Sequence, residues 1–136
     1  MANSFTTQIL EEGQRNAIVK LTAVLDTSDL ALTNAVLMSD INQGGIGATP
    51  TQARIDHIDY SISDQLEVQL LWGATSDVII MPLAGRGRLM FWNFGGLTNN
   101  AGAGKTGTIK IKTTGWTSGT QVFSVVLELV KQGQNL

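Results

Sequence analysis

The sequence contains no cysteine and few charged residues. With no cysteine among its 136 residues, the chain forms no disulfide and offers no thiolate to a metal or a substrate. Only 15% of the residues are charged, compared with roughly 25% in average soluble domains. Thr, Ser, Asn, Gln and Gly take the place of the missing charges. Such a surface loses little when another surface covers it, because few charges have to be desolvated.

The distribution of charged and apolar residues argues against several classes of protein. The nine basic residues are scattered and the net charge is -2, whereas nucleic-acid binding needs clustered basic residues. Apolar runs such as Val78–Met81 are much shorter than the ~20 residues that span a bilayer. Met1–Phe5 lacks a basic segment followed by an apolar stretch, so we expect no signal peptide. We therefore predict no nucleic-acid partner and no membrane partner.

Length and hydrophobic content predict one folded domain. A chain of 136 residues with 43% hydrophobic residues is long enough to bury one core and too short for two. We expect an N-terminal arm at residues 1–15, a β-sandwich domain at 16–131 and a C-terminal tail at 132–136. The arm and the tail are the segments expected to be ordered by a partner.

Alternation of apolar and polar residues is the dominant pattern. Ile58, Tyr60 and Ile62 alternate with polar residues, and the same period continues after Ser63 and Asp64 from Leu66 to Trp72. Two alternating runs around a short polar turn predict a hairpin. About eight such runs, joined by Gly, Asn, Ser and Thr, predict an all-β fold: an antiparallel β-sandwich of the jelly-roll variety.

Two features resemble catalytic or nucleotide-binding motifs. Gly102–Gly107 contains Gly-Lys-Thr, but a phosphate-binding loop requires a helix after it and this sequence continues as a strand through Ile109 and Ile111. We predict a hairpin loop there. His57 is the single histidine, and histidine metal sites and nucleophile–base pairs need further groups beside it. We predict no enzyme activity, no catalytic residue, no metal ligand and no cofactor.

Aromatic and arginine residues supply the candidates for an interface. Trp72 continues an inward-facing pattern and is expected in the core. Phe91 and Trp92 are adjacent, so one of them must leave the core. Arg86 and Arg88 share a strand face and are either a polar strand end or a docking edge for carboxylates. The predicted interface residues are Phe5, Arg86, Arg88, Trp92 and Phe94.

A resemblance to a known class of protein lies in the second half of the chain. The stretch from Leu70 to Gly87, with Phe91–Thr98 and Thr108–Lys112 after it, resembles small virion structural proteins of tailed bacteriophages. The resemblance implies a jelly-roll or related sandwich that binds the outside of a capsid as a cement or decoration protein. It also implies a homotrimer located in the virion, assembled in the host cytoplasm, with the major capsid protein or other virion proteins as partners.

Two alternatives remain open from the sequence. Other small phage proteins of this size act at the head-to-tail junction or in the tail. A carbohydrate-binding module is the second alternative, because Trp92 and Trp116 are side chains on which a sugar ring stacks.

Overall fold

The structure is a computed structural model that describes residues 3–13, 15–41 and 50–132. Within these ranges, nine strands form two antiparallel sheets, of five and four strands, which confirms the predicted all-β sandwich. Two 3₁₀ turns, Met38–Ile41 and Trp92–Phe94, are its described helical segments. Within the described residues, no helix is long and apolar enough to cross a membrane. The strands are β1 (Ser4–Glu12), β2 (Asn16–Leu25), β3 (Thr33–Val36), β4 (Gln52–Ile62), β5 (Glu67–Trp72), β6 (Val78–Leu83), β7 (Arg86–Met90), β8 (Ile109–Thr114) and β9 (Gln121–Gln132).

The core lies between the sheets and follows from the alternation of side chains. In β9, every second residue from Phe123 to Leu129 is buried, and in β2 the same holds from Ala17 to Leu25. Side chains of a strand alternate between its two faces, so each of these two strands sends one face into the core. Trp72 is 1% exposed, which confirms its predicted place in the core.

The sheet order shows that strands distant in sequence are neighbours. The five-stranded sheet has the order β1-β2-β9-β4-β7, and the four-stranded sheet the order β3-β8-β5-β6. Four of these pairings are nested: β2 pairs with β9, β3 with β8, β4 with β7 and β5 with β6. β5 and β6, in the middle of the chain, are the innermost pair, and each further pair joins strands that are more distant in the sequence.

The predicted hairpin between β4 and β5 is wrong. β4 belongs to the five-stranded sheet and β5 to the four-stranded sheet. The chain crosses between the sheets at a tight turn, in which the Leu66 amide donates to the Ser63 carbonyl at 3.0 Å. Both strands face the same core, so their alternation is identical to that of a hairpin. Alternation indicates which side chains face inward and not which strand is the neighbour.

The N-terminal segment differs from the arm expected at residues 1–15. Ser4–Glu12 forms strand β1, which pairs antiparallel with β2 and lies at the edge of the five-stranded sheet. The Phe5 and Phe123 ring centroids are 6.4 Å apart, so β1 contributes to the edge of the core. The sequence pattern did not predict this strand, because its residues are largely polar and most of its side chains are exposed. At the other terminus, Gln132 still belongs to β9, and residues 133–136 of the expected tail lie outside the described residues.

A buried ion pair fastens the end of β1 to β9. The Lys131 side chain is fully buried, and its Nζ lies 2.8 Å from Glu12 Oε2 and 2.8 Å from the Gly13 carbonyl oxygen. A buried ammonium is tolerated only with partners that compensate for its lost hydration. Glu12 therefore holds the end of β1 against β9, because its carboxylate compensates the buried Lys131 ammonium.

Glu12→Ala is expected to lower the free energy of unfolding by roughly 3 kcal/mol, because it leaves a buried charge without its carboxylate. The matched control is Glu11→Ala, an exposed neighbour expected to change stability by less than about 0.5 kcal/mol. Urea unfolding followed by circular dichroism measures both. Equal effects of the two substitutions would show that the buried pair contributes little.

A second carboxylate orders the turn between β5 and β6. Asp77 Oδ1 accepts from the Ala74 amide at 3.0 Å, and Asp77 Oδ2 lies 3.2 Å from Lys110 Nζ on β8. The Ala74 N–H and, after it, the Lys110 ammonium hold the pKa of Asp77 below its ordinary value of 3.8. The contacts favour the ionised carboxylate, so they stabilise the folded chain only while Asp77 is charged.

Asp77→Asn is expected to be less stable than the parent chain by a constant amount above about pH 5. Because the folded-state pKa is the lower one, the contribution of Asp77 is complete above 3.8 and is lost as pH falls through the folded-state value. The stability difference should therefore narrow on the acid side, as measured by urea unfolding at a series of pH values. Asp64→Asn, at an exposed turn, is the control, and a difference independent of pH would contradict the assignment.

Candidate interface surfaces

The segment after β7 exposes two aromatic side chains. Phe91 is buried, whereas Trp92 is 61% exposed and Phe94 66% exposed, which confirms that one of the adjacent pair Phe91 and Trp92 leaves the core. The Phe91 amide donates to the Asp56 carbonyl at 2.8 Å, so the turn is tied to β4. We call the 3₁₀ turn Trp92–Phe94 the aromatic turn.

A glycine closes the aromatic turn against β4. Gly96 has a φ of +81°, and a Cβ there would lie 2.5 Å from Asp56 Oδ1. The Gly96 amide donates to the Phe91 carbonyl at 2.9 Å. Only glycine combines the left-handed conformation with this close approach. The backbone thus fixes Trp92 and Phe94 in outward positions, with Phe91 as their anchor.

The two arginines of β7 lie on the outer face of the five-stranded sheet. Arg88 is opposite Asp59 of β4, and its Nε lies 2.9 Å from Asp59 Oδ1. The Arg88 side chain is 65% exposed, so this surface pair contributes at most about 1 kcal/mol. Arg86 is opposite Ser61. The carboxylate beside Arg88 therefore belongs to the chain itself, and a guanidinium in solvent is still able to bind another carboxylate.

His57 lies between two carboxylates, those of Glu128 and Asp59, on the same outer face. Its Nδ1 is 2.6 Å from Glu128 Oε2, and its Nε2 is 3.3 Å from Asp59 Oδ1. Glu128 is 71 residues further along the chain than His57, so no sequence pattern indicated this contact, which the pairing of β9 with β4 creates. In the described part of the chain, no three His, Cys, Asp or Glu side chains are placed to hold a metal ion. Together with the contact between Asp59 and Arg88, these contacts link β9, β4 and β7.

The glycine-rich loop before β8 packs on the turn between β5 and β6. The Thr75 amide donates to the Ala103 carbonyl at 3.1 Å, and the Thr106 amide to the Gly73 carbonyl at 3.1 Å. The strand predicted after this loop is present as β8. The predicted hairpin loop is wrong, since β7 and β8 belong to different sheets.

Trp116, the other residue proposed for sugar stacking, is partly buried. Its indole Nε1 donates to the Gly119 carbonyl at 3.0 Å, and its amide donates to Asp29 Oδ1 at 3.0 Å. These bonds hold Trp116 in the loop between β8 and β9. The more exposed ring, and so the better candidate for contact with a partner, is that of Trp92.

The predicted interface residues fall into two groups on opposite sides of the molecule. Phe5 lies on β1, at one edge of the five-stranded sheet, and Arg86 and Arg88 lie on β7, at the other edge. Trp92 and Phe94 follow β7 directly. With about 4.8 Å between neighbouring strands, the two edges are roughly 19 Å apart. They are therefore two separate surfaces.

Comparison with known proteins gives no match to any family model and none to any curated protein sequence. The case for function therefore depends on the geometry of this chain and on the resemblance described above.

Trp92→Ala is expected to change the free energy of unfolding by less than about 0.5 kcal/mol, since its ring is mainly in solvent. Trp72→Ala is expected to cost about 3–5 kcal/mol, because it empties a large part of the core. Thermal and urea unfolding of both variants measure the difference. A large loss of stability in Trp92→Ala would mean that its ring holds the fold together and is not available to a partner.

Proposed function

We propose that this chain is a virion structural protein that binds the outside of a phage capsid and stabilises it, acting as a homo-oligomer. The observation that carries the proposal is the aromatic turn, which keeps two large rings in solvent although the core is complete without them. Exposed rings of this kind are costly to leave in water and are enriched at protein interfaces. The copy number of three is implied by the resemblance alone.

The strand order supports the same proposal. Nested pairs, in which β2 joins β9, β3 joins β8, β4 joins β7 and β5 joins β6, arise when one long antiparallel ribbon is wound over two sheets. A jelly roll is a double sheet of this kind and occurs in viral capsid domains. Fold alone does not determine function, and in this chain the nested strand order is combined with exposed aromatic side chains.

The composition of the outer surface is suited to permanent contact. The outward residues of β2 and β9 include Thr22, Val24, Val122 and Ser124, with Val122 48% exposed and Val24 39% exposed. None of these four side chains is charged, so covering them removes apolar area from water at little desolvation cost. On a shell, the same contact recurs at each equivalent position, so a modest free energy per copy stabilises the whole particle.

Binding to purified shells of the phage that encodes this chain tests the proposal. We expect many copies per shell, and we expect bound shells to resist heating better than bare ones. Trp92→Ala and Phe94→Ala should each weaken binding by about thirtyfold or more, as for anchors worth at least ~2 kcal/mol. Ile79→Ala removes an equally exposed apolar side chain on β6 and is the matched control.

Failure of the parent chain to bind shells would overturn the proposal. A carbohydrate-binding module is the second candidate, because the exposed Trp92 ring has the position that sugar stacking requires. Glycan-array binding by the parent chain that disappears in Trp92→Ala, together with no shell binding, would favour that function instead.

A further inference from the structure

The two edges of the five-stranded sheet carry exposed apolar residues at the same height. A single row of paired residues crosses the sheet from Glu11 on β1 to Met90 on β7. Leu10 is the extra residue of the β1 bulge, directly beside this row. Leu10 is 48% exposed and Met90 is 53% exposed. The complete row is Glu11, Ile18, Glu128, His57 and Met90.

Of the four edge strands in the described residues, β1 has the longest stretch without proline, charge or bulge, namely Ser4–Ile9. Edge strands are commonly protected by proline, by charge, by bulges or by shortness. β6 contains Pro82, β3 has four residues, and β7 carries Arg86 and Arg88. β1 is nine residues long, and its first seven residues are uncharged. Within the described residues no strand pairs with the outer edge of β1, so another chain is able to pair there.

The charges at the two edges are opposite in sign. The β7 edge carries arginines, which repel a second β7 edge. The β1 edge carries Glu11 near its end, whereas the carboxylate of Glu12 is paired with Lys131. Glu11 lies in the row of Met90, two residues along the strands from the row of Arg88 and on the same face. Opposite charges across a strand pair are favourable and like charges are not. The β1 edge of one copy is thus complementary to the β7 edge of another.

We propose that copies of this chain contact one another head to tail, with the β1 edge of one copy against the β7 edge of the next. When copies are related by a rotation axis parallel to the strands, each residue keeps its position along that axis from copy to copy. Leu10 of one copy then contacts Met90 of the next, and Glu11 comes within reach of Arg88. A contact between two different surfaces generates a closed ring or an open filament and never a two-fold dimer. The inference rests on the homo-oligomer of the proposed function and assigns the surfaces that form it.

Disulfide trapping tests the contact directly, because the chain has no cysteine of its own. A disulfide requires Cα atoms within about 7 Å, and the two edges of one copy are much further apart. We expect a 1:1 mixture of Leu10→Cys and Met90→Cys to give a covalent dimer on mild oxidation. The double variant should give chains of three or more copies. Each single variant alone should remain uncrosslinked.

Trapping of Leu10→Cys with itself, with no crosslink between Leu10→Cys and Met90→Cys in the mixture, would overturn the proposal in favour of a two-fold β1–β1 contact. Absence of any trapping would overturn it as well.

Solution association provides the second measurement. The parent chain should sediment as an assembly larger than a dimer, and Met90→Glu should raise the dissociation constant about tenfold or more, because it places a carboxylate opposite Glu11. Ile79→Glu, which adds the same charge at an equally exposed site on the other sheet, should leave association unchanged. Circular dichroism confirms that both variants are folded. A monomeric parent chain would overturn the contact.

The two proposals fail separately in these experiments. A monomer that still binds shells would overturn the head-to-tail contact and leave the virion function in place. An assembled, trappable oligomer that binds no shell would do the reverse.

Discussion

The pairing of β9 with both β2 and β4 is the constraint on which the rest of the structure depends. β9 is matched residue by residue to β2 over ten positions and to β4 over most of its length. Its inward residues, from Phe123 to Leu129, form the middle of the shared core. Since β9 is at the C-terminal end of the described chain and β2 near its beginning, the sandwich closes only when almost the whole chain is in place.

The unequal width of the two sheets explains what is left exposed. β1 is the terminal strand of the wider sheet, and its Thr7 Oγ1 donates to the Ala35 carbonyl of β3 at 2.9 Å. Most of the β1 side chains are exposed in the described structure. The buried pair of Glu12 and Lys131 holds one end of β1 on the sheet, and the packing of Phe5 on Phe123 holds the other end. The free edge between them is the surface that we assign to a second copy.

The candidate surfaces share a further property, namely that rigid backbone holds them outward. The aromatic turn is held to β4 by the Phe91 amide and by the close approach of Gly96 to Asp56. A preorganised anchor loses little conformational entropy when a partner covers it. The same argument applies to Met90, which lies on a strand, and less to the arginines, whose long side chains must be ordered on contact.

The sequence by itself determined the class of fold, the inward residues such as Trp72, and that one of Phe91 and Trp92 leaves the core. The fold class and the inward residues follow from the alternation of side chains along a strand, which is a local property, whereas Trp92 leaves the core in a 3₁₀ turn that follows β7. Only the tertiary structure decided which strands are neighbours, that β4 and β5 belong to different sheets, that Ser4–Glu12 is a strand, and that Glu128 meets His57. Each of these depends on pairing between residues far apart in the chain, and alternation is the same whichever strand supplies the partner.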